Sequence, residues 1–170
     1  TDAQRLPLRD ALRRALAADV ISPVDVPGHT NSAMDGYAVR GEDIGGASRA
    51  SPVVLSVMGE SRAGQKDSGR TLGPGQAIRI MTGAPVPHGA DSVIRVEDTD
   101  AEAQPGRVKI FACGDVGRHI RPGGQDMKEG DEILPPHSTV GPGQLGLLFA
   151  SGQESVLVHR RPRVALLPNG

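Results

Sequence analysis

The apolar positions of this chain come in short runs. Residues 53–58, 77–81, 92–96 and 155–158 are aliphatic stretches rich in β-branched side chains, each bounded by Gly, Pro or charged clusters. That is the pattern of strands closed off by turns. Near the N-terminus the period changes. Leu8, Leu12, Ala15 and Leu16 fall on one stripe, with Arg9, Asp10, Arg13 and Arg14 elsewhere, which predicts an amphipathic helix ending near Ala18. Residues 21–28 (ISPVDVPG) then form an extended connection, because each proline fixes its own φ and pushes the preceding residue out of the α region. Residues 141–152 (GPGQLGLLFASG) predict a second short helix, with Pro142 in the first turn, apolar Leu145, Leu148 and Phe149, and Gly152 as the C-terminal cap. The stretch 163–170 (RVALLPNG) is apolar throughout 164–167, like a strand covered on both faces in a parallel sheet.

These elements predict an α+β fold, predominantly β. A helix-containing subdomain is expected from 1–27 and 133–162, with a β-rich domain inserted at 28–132. Residues 163–170 read as the first strand of an α/β domain that the sequence does not contain. The tetrapeptide GPGQ occurs at 73–76 and again at 141–144. A strand-like AIRI follows the first copy and a helix-like LGLLF the second, so the pair reads as one turn solution used twice and not as a domain repeat.

Composition narrows the function more than it narrows the fold. Lys plus Arg number 19 against 20 for Asp plus Glu, so no field of one sign would gather nucleic acid or an anionic membrane. Tyr37, Phe111 and Phe149 are the only aromatic residues, too few for a base-stacking platform. Cys113 is the only cysteine, which excludes an intrachain disulfide framework. No apolar stretch approaches the roughly 20 residues of a membrane span, and the first residues lack the apolar core of a signal peptide. A cytoplasmic location is the expectation.

Three blocks carry candidate chemistry. Residues 31–40 read NSAMDGYAVR, a polar turn that delivers Asp35 directly ahead of Gly36 and a strand-like YAV. Asp-Gly is a turn on its own, and Ser32 or Asp35 can cap nearby backbone N–H groups. The same carboxylate can also serve a site. Residues 79–99 read RIMTGAPVPHGADSVIRVEDT, where Thr82-Gly83 offers a hydroxyl and adjacent amides as a cradle for an oxyanion or phosphate, or else a polar exit from a strand. Residues 120–134 read IRPGGQDMKEGDEIL, placing Arg121 and Asp126 around a Gly-Gly hinge. Glu129, Asp131 and Glu132 beyond it read as a solvated acidic turn. His29, His88, His119, His137 and His159 are scattered and show no zinc-ligand spacing with Cys113. Neither Gly45-Gly46 nor Gly123-Gly124 sits in a nucleotide-binding pattern.

Taken in order, these blocks resemble the N-terminal part of the molybdopterin molybdotransferases, the MoeA-like enzymes related to the C-terminal domain of gephyrin. The likeness runs over nearly all of residues 6–168. It departs at Gln125, where the family usually has Glu, and at the ending Pro168-Asn169-Gly170. The resemblance implies insertion of molybdate into adenylylated molybdopterin, with release of AMP and formation of molybdenum cofactor, assisted by Mg²⁺. It further implies a homodimer, a possible molybdopterin adenylyltransferase partner, and a fragment inactive by itself. By motif, Asp35 and Asp126 are the acidic, metal-associated catalytic groups, and Thr82, Gly83 and Ser32 contact substrate. The alternative is a noncatalytic scaffold of the same fold.

Overall fold

The computed structural model describes residues 2–65 and 69–168. In chain order its strands are β1 (Ala3–Pro7), β2 (Val20–Ile21), β3 (Asn31–Ser32), β4 (Gly36–Val39), β5 (Val53–Ser61), β6 (Gln76–Ile80), β7 (Ser92–Arg95), β8 (Arg107–Ile110), β9 (Ile120–Arg121), β10 (Glu132–Leu134) and β11 (Ser155–His159). One α-helix, α1 (Pro142–Ala150), lies between the last two. The fold is therefore mostly β, as its short apolar runs require. The chain forms two compact units, 1–28 with 124–170, and 29–123.

In the discontinuous unit, β1 pairs antiparallel with β11 and β10 with β2. Its core gathers Leu8, Leu16, Val140, Leu148, Val156 and Val158. The return point falls at 123/124 instead of 132/133, because residues 126–131 hydrogen-bond back onto 22–26. The Val26 N–H donates to the Met127 carbonyl, and the Ser22 N–H to that of Asp131.

The expected helix over 8–18 is absent. Only a single 3₁₀ turn forms, at Leu8–Asp10, and Arg13 sits at φ 61° in the left-handed region. Distant backbone partners decide this: the N–H groups of Arg13, Leu16 and Ala17 donate to the carbonyls of Val140, Ser138 and Leu157. Leu8, Ala11 and Leu16 still reach the core, while Leu12 stays 40% exposed. The apolar stripe thus reported burial correctly and conformation incorrectly, since a helix-compatible spacing also fits an irregular segment satisfied by tertiary hydrogen bonds.

The second helix forms as expected, with Pro142 in its first turn and Gly152 at φ 74° beyond its end. The two GPGQ turns share a device. The side-chain oxygen of Gln76 accepts the Gly73 N–H at 2.8 Å, and that of Gln144 accepts the Gly141 N–H at 3.2 Å. One turn then enters β6 and the other α1. Residues 163–168 belong to no strand, and Val164, Leu166 and Leu167 are strongly exposed, since an extended segment needs a partner to become a strand. The remainder of that expected strand, 169–170, lies outside the described residues.

The unit at 29–123 is built on a five-stranded sheet in the order β7-β4-β6-β5-β8. The interior strand β4 runs antiparallel to both β6 and β7, whereas β5 and β6 are parallel. Alternation along β4 explains why all four of its residues are buried. Tyr37 and Val39 pack with Leu55, Ala77 and Ile110 on one face, and Ala38 packs with Ile80 and Val93 on the other. A two-stranded ladder of β3 and β9 accompanies this sheet. Asp35 stands at the entrance to its most buried strand.

Candidate functional site

The turn that presents Asp35 is assembled from short-range hydrogen bonds. Ser32 is fully buried; its hydroxyl donates to the Met34 carbonyl at 2.6 Å and accepts the Met34 N–H at 3.2 Å. Arg121 donates to the Asn31 side chain at 3.1 Å, steadying the start of the turn. Three residues after Ser32 the Asp35 carboxylate emerges into solvent, while its carbonyl accepts the Val96 N–H at 3.1 Å. Ser32, expected as a substrate contact, is thus buried and shapes the turn with its hydroxyl.

Asp35 and Thr82, 47 residues apart, are brought together. Both the backbone N–H and the hydroxyl of Thr82 donate to Oδ1 of Asp35, each at 2.7 Å. These bonds hold the Asp35 carboxyl below its ordinary value: the backbone N–H contributes most and the hydroxyl next, against a small opposing effect of burial, with Arg79 assisting electrostatically. Next in the chain, Gly83 adopts φ 79° and its N–H donates to the Ser32 carbonyl at 2.8 Å. A Cβ there would meet only Ala63, at 3.6 Å, so conformation and not space calls for glycine. Both amides of the expected anion cradle are thus already committed, Thr82 to Asp35 and Gly83 to Ser32. In this structure Thr82 acts as a clamp on the Asp35 carboxylate.

Asp35 opens onto a small concavity of about 110 Å³ shared with Gly36, Tyr37, Arg79, Met81 and Val96. Arg79 went unassigned in the sequence. It also borders a neighbouring cleft of about 500 Å³ that contains Glu60, Arg62 and Glu102, and it lies 3.7 Å from Glu102. The signal for it was a charged residue inside the strand AIRI, opposite Tyr37 in the β4–β6 register. A larger cleft of about 670 Å³ on the same unit, lined in part by His29, Thr30, Gln65, Pro87 and His88, includes neither Asp35 nor Thr82.

Asp126 belongs to the other unit. It is exposed, and its N–H donates to the Val26 carbonyl at 2.9 Å. The acidic turn after it is solvated, with Asp131 accepting the Lys128 N–H at 2.8 Å. Among the described residues no group of three or more His, Cys, Asp or Glu side chains is arranged to hold a metal ion, and no helix is long and apolar enough to cross a membrane. His137 and His159 face each other edge to edge, with Nδ1 and Nε2 3.3 Å apart.

Replacing Thr82 by Val tests the clamp. The hydroxyl donor goes and the backbone donor stays, so the Asp35 titration midpoint is expected to move part of the way up towards the ordinary value near 3.9. A folded-state value below the unfolded one stabilises the fold above the unfolded value, and that gain disappears as pH falls through the folded value. The acid side of the stability profile should therefore flatten in Thr82→Val. Carboxyl-detected NMR titration checks this, and an unchanged midpoint would show that the hydroxyl does not bind Asp35.

Comparison with known proteins agrees with these blocks. A family model described as the MoeA N-terminal region, domains I and II, matches residues 1–152. Molybdopterin molybdenumtransferase 2 of Mycobacterium tuberculosis is 42% identical over 165 residues, covering 97% of this chain and 40% of the relative. The molybdopterin molybdenumtransferase of Bacillus subtilis is 39% identical over 165 residues, covering 96% of this chain and 38% of the relative. Two crystal structures of a molybdopterin biosynthesis MoeA protein from Pyrococcus horikoshii superpose with TM-scores of 0.82 and 0.83 at 38% and 32% identity. They cover 95% and 92% of this chain, and this chain spans 40% and 41% of theirs. The chain is thus about two fifths as long as the relatives it matches.

Proposed function

The chain belongs to the family of MoeA N-terminal regions, and from that premise we propose that it is the part of a molybdopterin molybdotransferase that presents Asp35 to the substrate. The proposed reaction transfers molybdate to the dithiolene of adenylylated molybdopterin, so that AMP leaves and molybdenum cofactor forms. The observation that carries the reading is the Asp35–Thr82 pair: an exposed carboxylate, held in place by two 2.7 Å hydrogen bonds and biased towards its anionic form.

An anion at this position repels molybdate, so Asp35 is suited to a cation, to water or to a proton. Its donor set fits Mg²⁺ in a limited way. Oδ1 is occupied by Thr82, which leaves Oδ2 as a hard oxygen ligand, and Mg²⁺ in phosphate-handling sites takes only one or two carboxylates, completing its shell with water and substrate oxygens. When bound, such an ion would neutralise charge on the adenylyl phosphates. Asp35 would supply one ligand and fix its direction, and Thr82 would keep the carboxylate from turning. Asp126 is proposed as a second acidic group of the enzyme, to be tested by its own Asp126→Asn variant.

The test is complementation of a bacterial strain lacking molybdotransferase, read as nitrate reductase activity. The full-length parent gene is expected to restore it, and this 170-residue chain, two fifths of such an enzyme, is not. Failure of a well-expressed parent would favour a noncatalytic scaffold of the same fold.

A further inference from the structure

Asp115 lies outside every block that the family resemblance singles out, yet its side chain joins a cluster of charged and polar side chains in the 29–123 unit. It is only 7% exposed. Arg95 Nε donates to Oδ2 at 2.9 Å, and a second arm of the same guanidinium donates to Asp98 at 3.0 Å. His119 Nε2 lies 3.1 Å from Oδ1. No hydrogen bond forms there, and the ring rests against the carboxylate as a close polar neighbour. Burial alone would raise the Asp115 carboxyl, but the hydrogen bond from Arg95, with His119 close by, outweighs it and holds the group below its ordinary value.

Both partners of Asp115 hold the Asp35 turn by their backbones. Arg95 ends β7 and pairs with Gly36, the residue after Asp35. The next N–H, that of Val96, donates to the Asp35 carbonyl. His119, at φ 64°, accepts the Ala33 N–H on its carbonyl at 2.8 Å, and Ile120 beside it pairs with Ser32. Ser32 in turn accepts the Gly83 N–H and donates its own N–H to the Ala84 carbonyl at 3.0 Å, fixing the segment that carries Thr82. The concavity at Asp35 does not include Asp115.

We propose that Asp115 is a positioning residue: its buried carboxylate ties Arg95 to His119 and so holds the two backbone segments between which Asp35 meets Thr82. A buried carboxylate bonded to a guanidinium is costly to disturb, because removing its charge leaves Arg95 uncompensated. Here the disturbance would be transmitted to the turn on both sides. The assignment rests on the reading of Asp35 and Thr82 as the working pair. It is tested on their hydrogen bond and not on turnover, so its failure and the failure of that reading remain distinguishable.

The experiment compares the Thr82 amide by ¹H–¹⁵N NMR and hydrogen exchange in the 170-residue chain and its Asp115→Asn variant, which keeps the side-chain volume. The expected result is an upfield move of the Thr82 amide proton and exchange faster by about tenfold, as a loosened local hydrogen bond gives. Val158→Ala, in the core of the other unit, is the control: it is expected to lower the unfolding temperature and leave the Thr82 amide unmoved. A folded Asp115→Asn protein with an unchanged Thr82 amide overturns the proposal, as does a control that moves the amide equally. If Asp115→Asn does not fold, His119→Gln decides. It removes one tie only, so a smaller displacement of the same sign supports the assignment and an unmoved amide overturns it.

Discussion

Asp35→Asn in the full-length parent enzyme is expected to lower nitrate reductase activity in the complemented strain by about a hundredfold, the usual scale for losing a charged group aimed at the reacting centre. The substitution is informative because it changes so little else. Asparagine has nearly the same shape, and its amide oxygen can still accept the Thr82 N–H and hydroxyl that now reach Oδ1. The turn should persist, and the unfolding temperature with it. What disappears is the negative charge and one hard oxygen ligand. The deficit is therefore expected to deepen when magnesium is limiting and to shrink when it is abundant. A wild-type rate of cofactor synthesis under limiting magnesium would remove Asp35 from the mechanism. A large fall in unfolding temperature would instead reassign it to holding the turn.

The largest loss of stability is expected one residue further on. A Cβ added to Gly36 would lie 1.9 Å from the Ile94 carbonyl oxygen and 2.9 Å from its carbon. These are backbone atoms of the adjacent strand β7, so no flexible side chain can move aside. Gly36→Ala must push β4 from β7 or rotate the strand. Either movement strains the register from Gly36↔Arg95 to Val39↔Ser92 and the bond from Val96 to the Asp35 carbonyl. Overpacking against a rigid neighbour commonly costs about 1–3 kcal/mol, and the interior, fully buried position of β4 places this case at about 3 kcal/mol. Urea unfolding of the 170-residue chain measures it. A loss below about 1 kcal/mol would mean that the strands separate more easily than their packing implies.

How much of this was readable beforehand differs from element to element. Helix α1 and its boundaries followed from Pro142, the apolar spacing and Gly152, because capping and periodicity act within a few residues. The segment 8–18 has an equally good stripe and no α-helix, because Val140, Ser138 and Leu157 supply carbonyls that the local sequence cannot announce. The block at 31–40 was identifiable as a whole, yet the roles inside it were not. Ser32 and Asp35 are both polar turn residues, and only the fold buries the first and exposes the second.

The sequence by itself determined the mostly β character, the family, and the positions of Asp35 and Thr82 in their motifs. Those properties reside in residue order and short-range periodicity, which survive without knowledge of any distant contact. Only the tertiary structure decided that Thr82 clamps Asp35, that the amides of Thr82 and Gly83 are already spent, and that Arg79 and Asp115 stand behind the same turn. Each of these depends on hydrogen bonds or ion pairs between segments far apart in the chain. Which donor meets which acceptor across such a distance is settled by the register of β4 against β6 and β7, and register is a property of the packed sheet and not of any one strand.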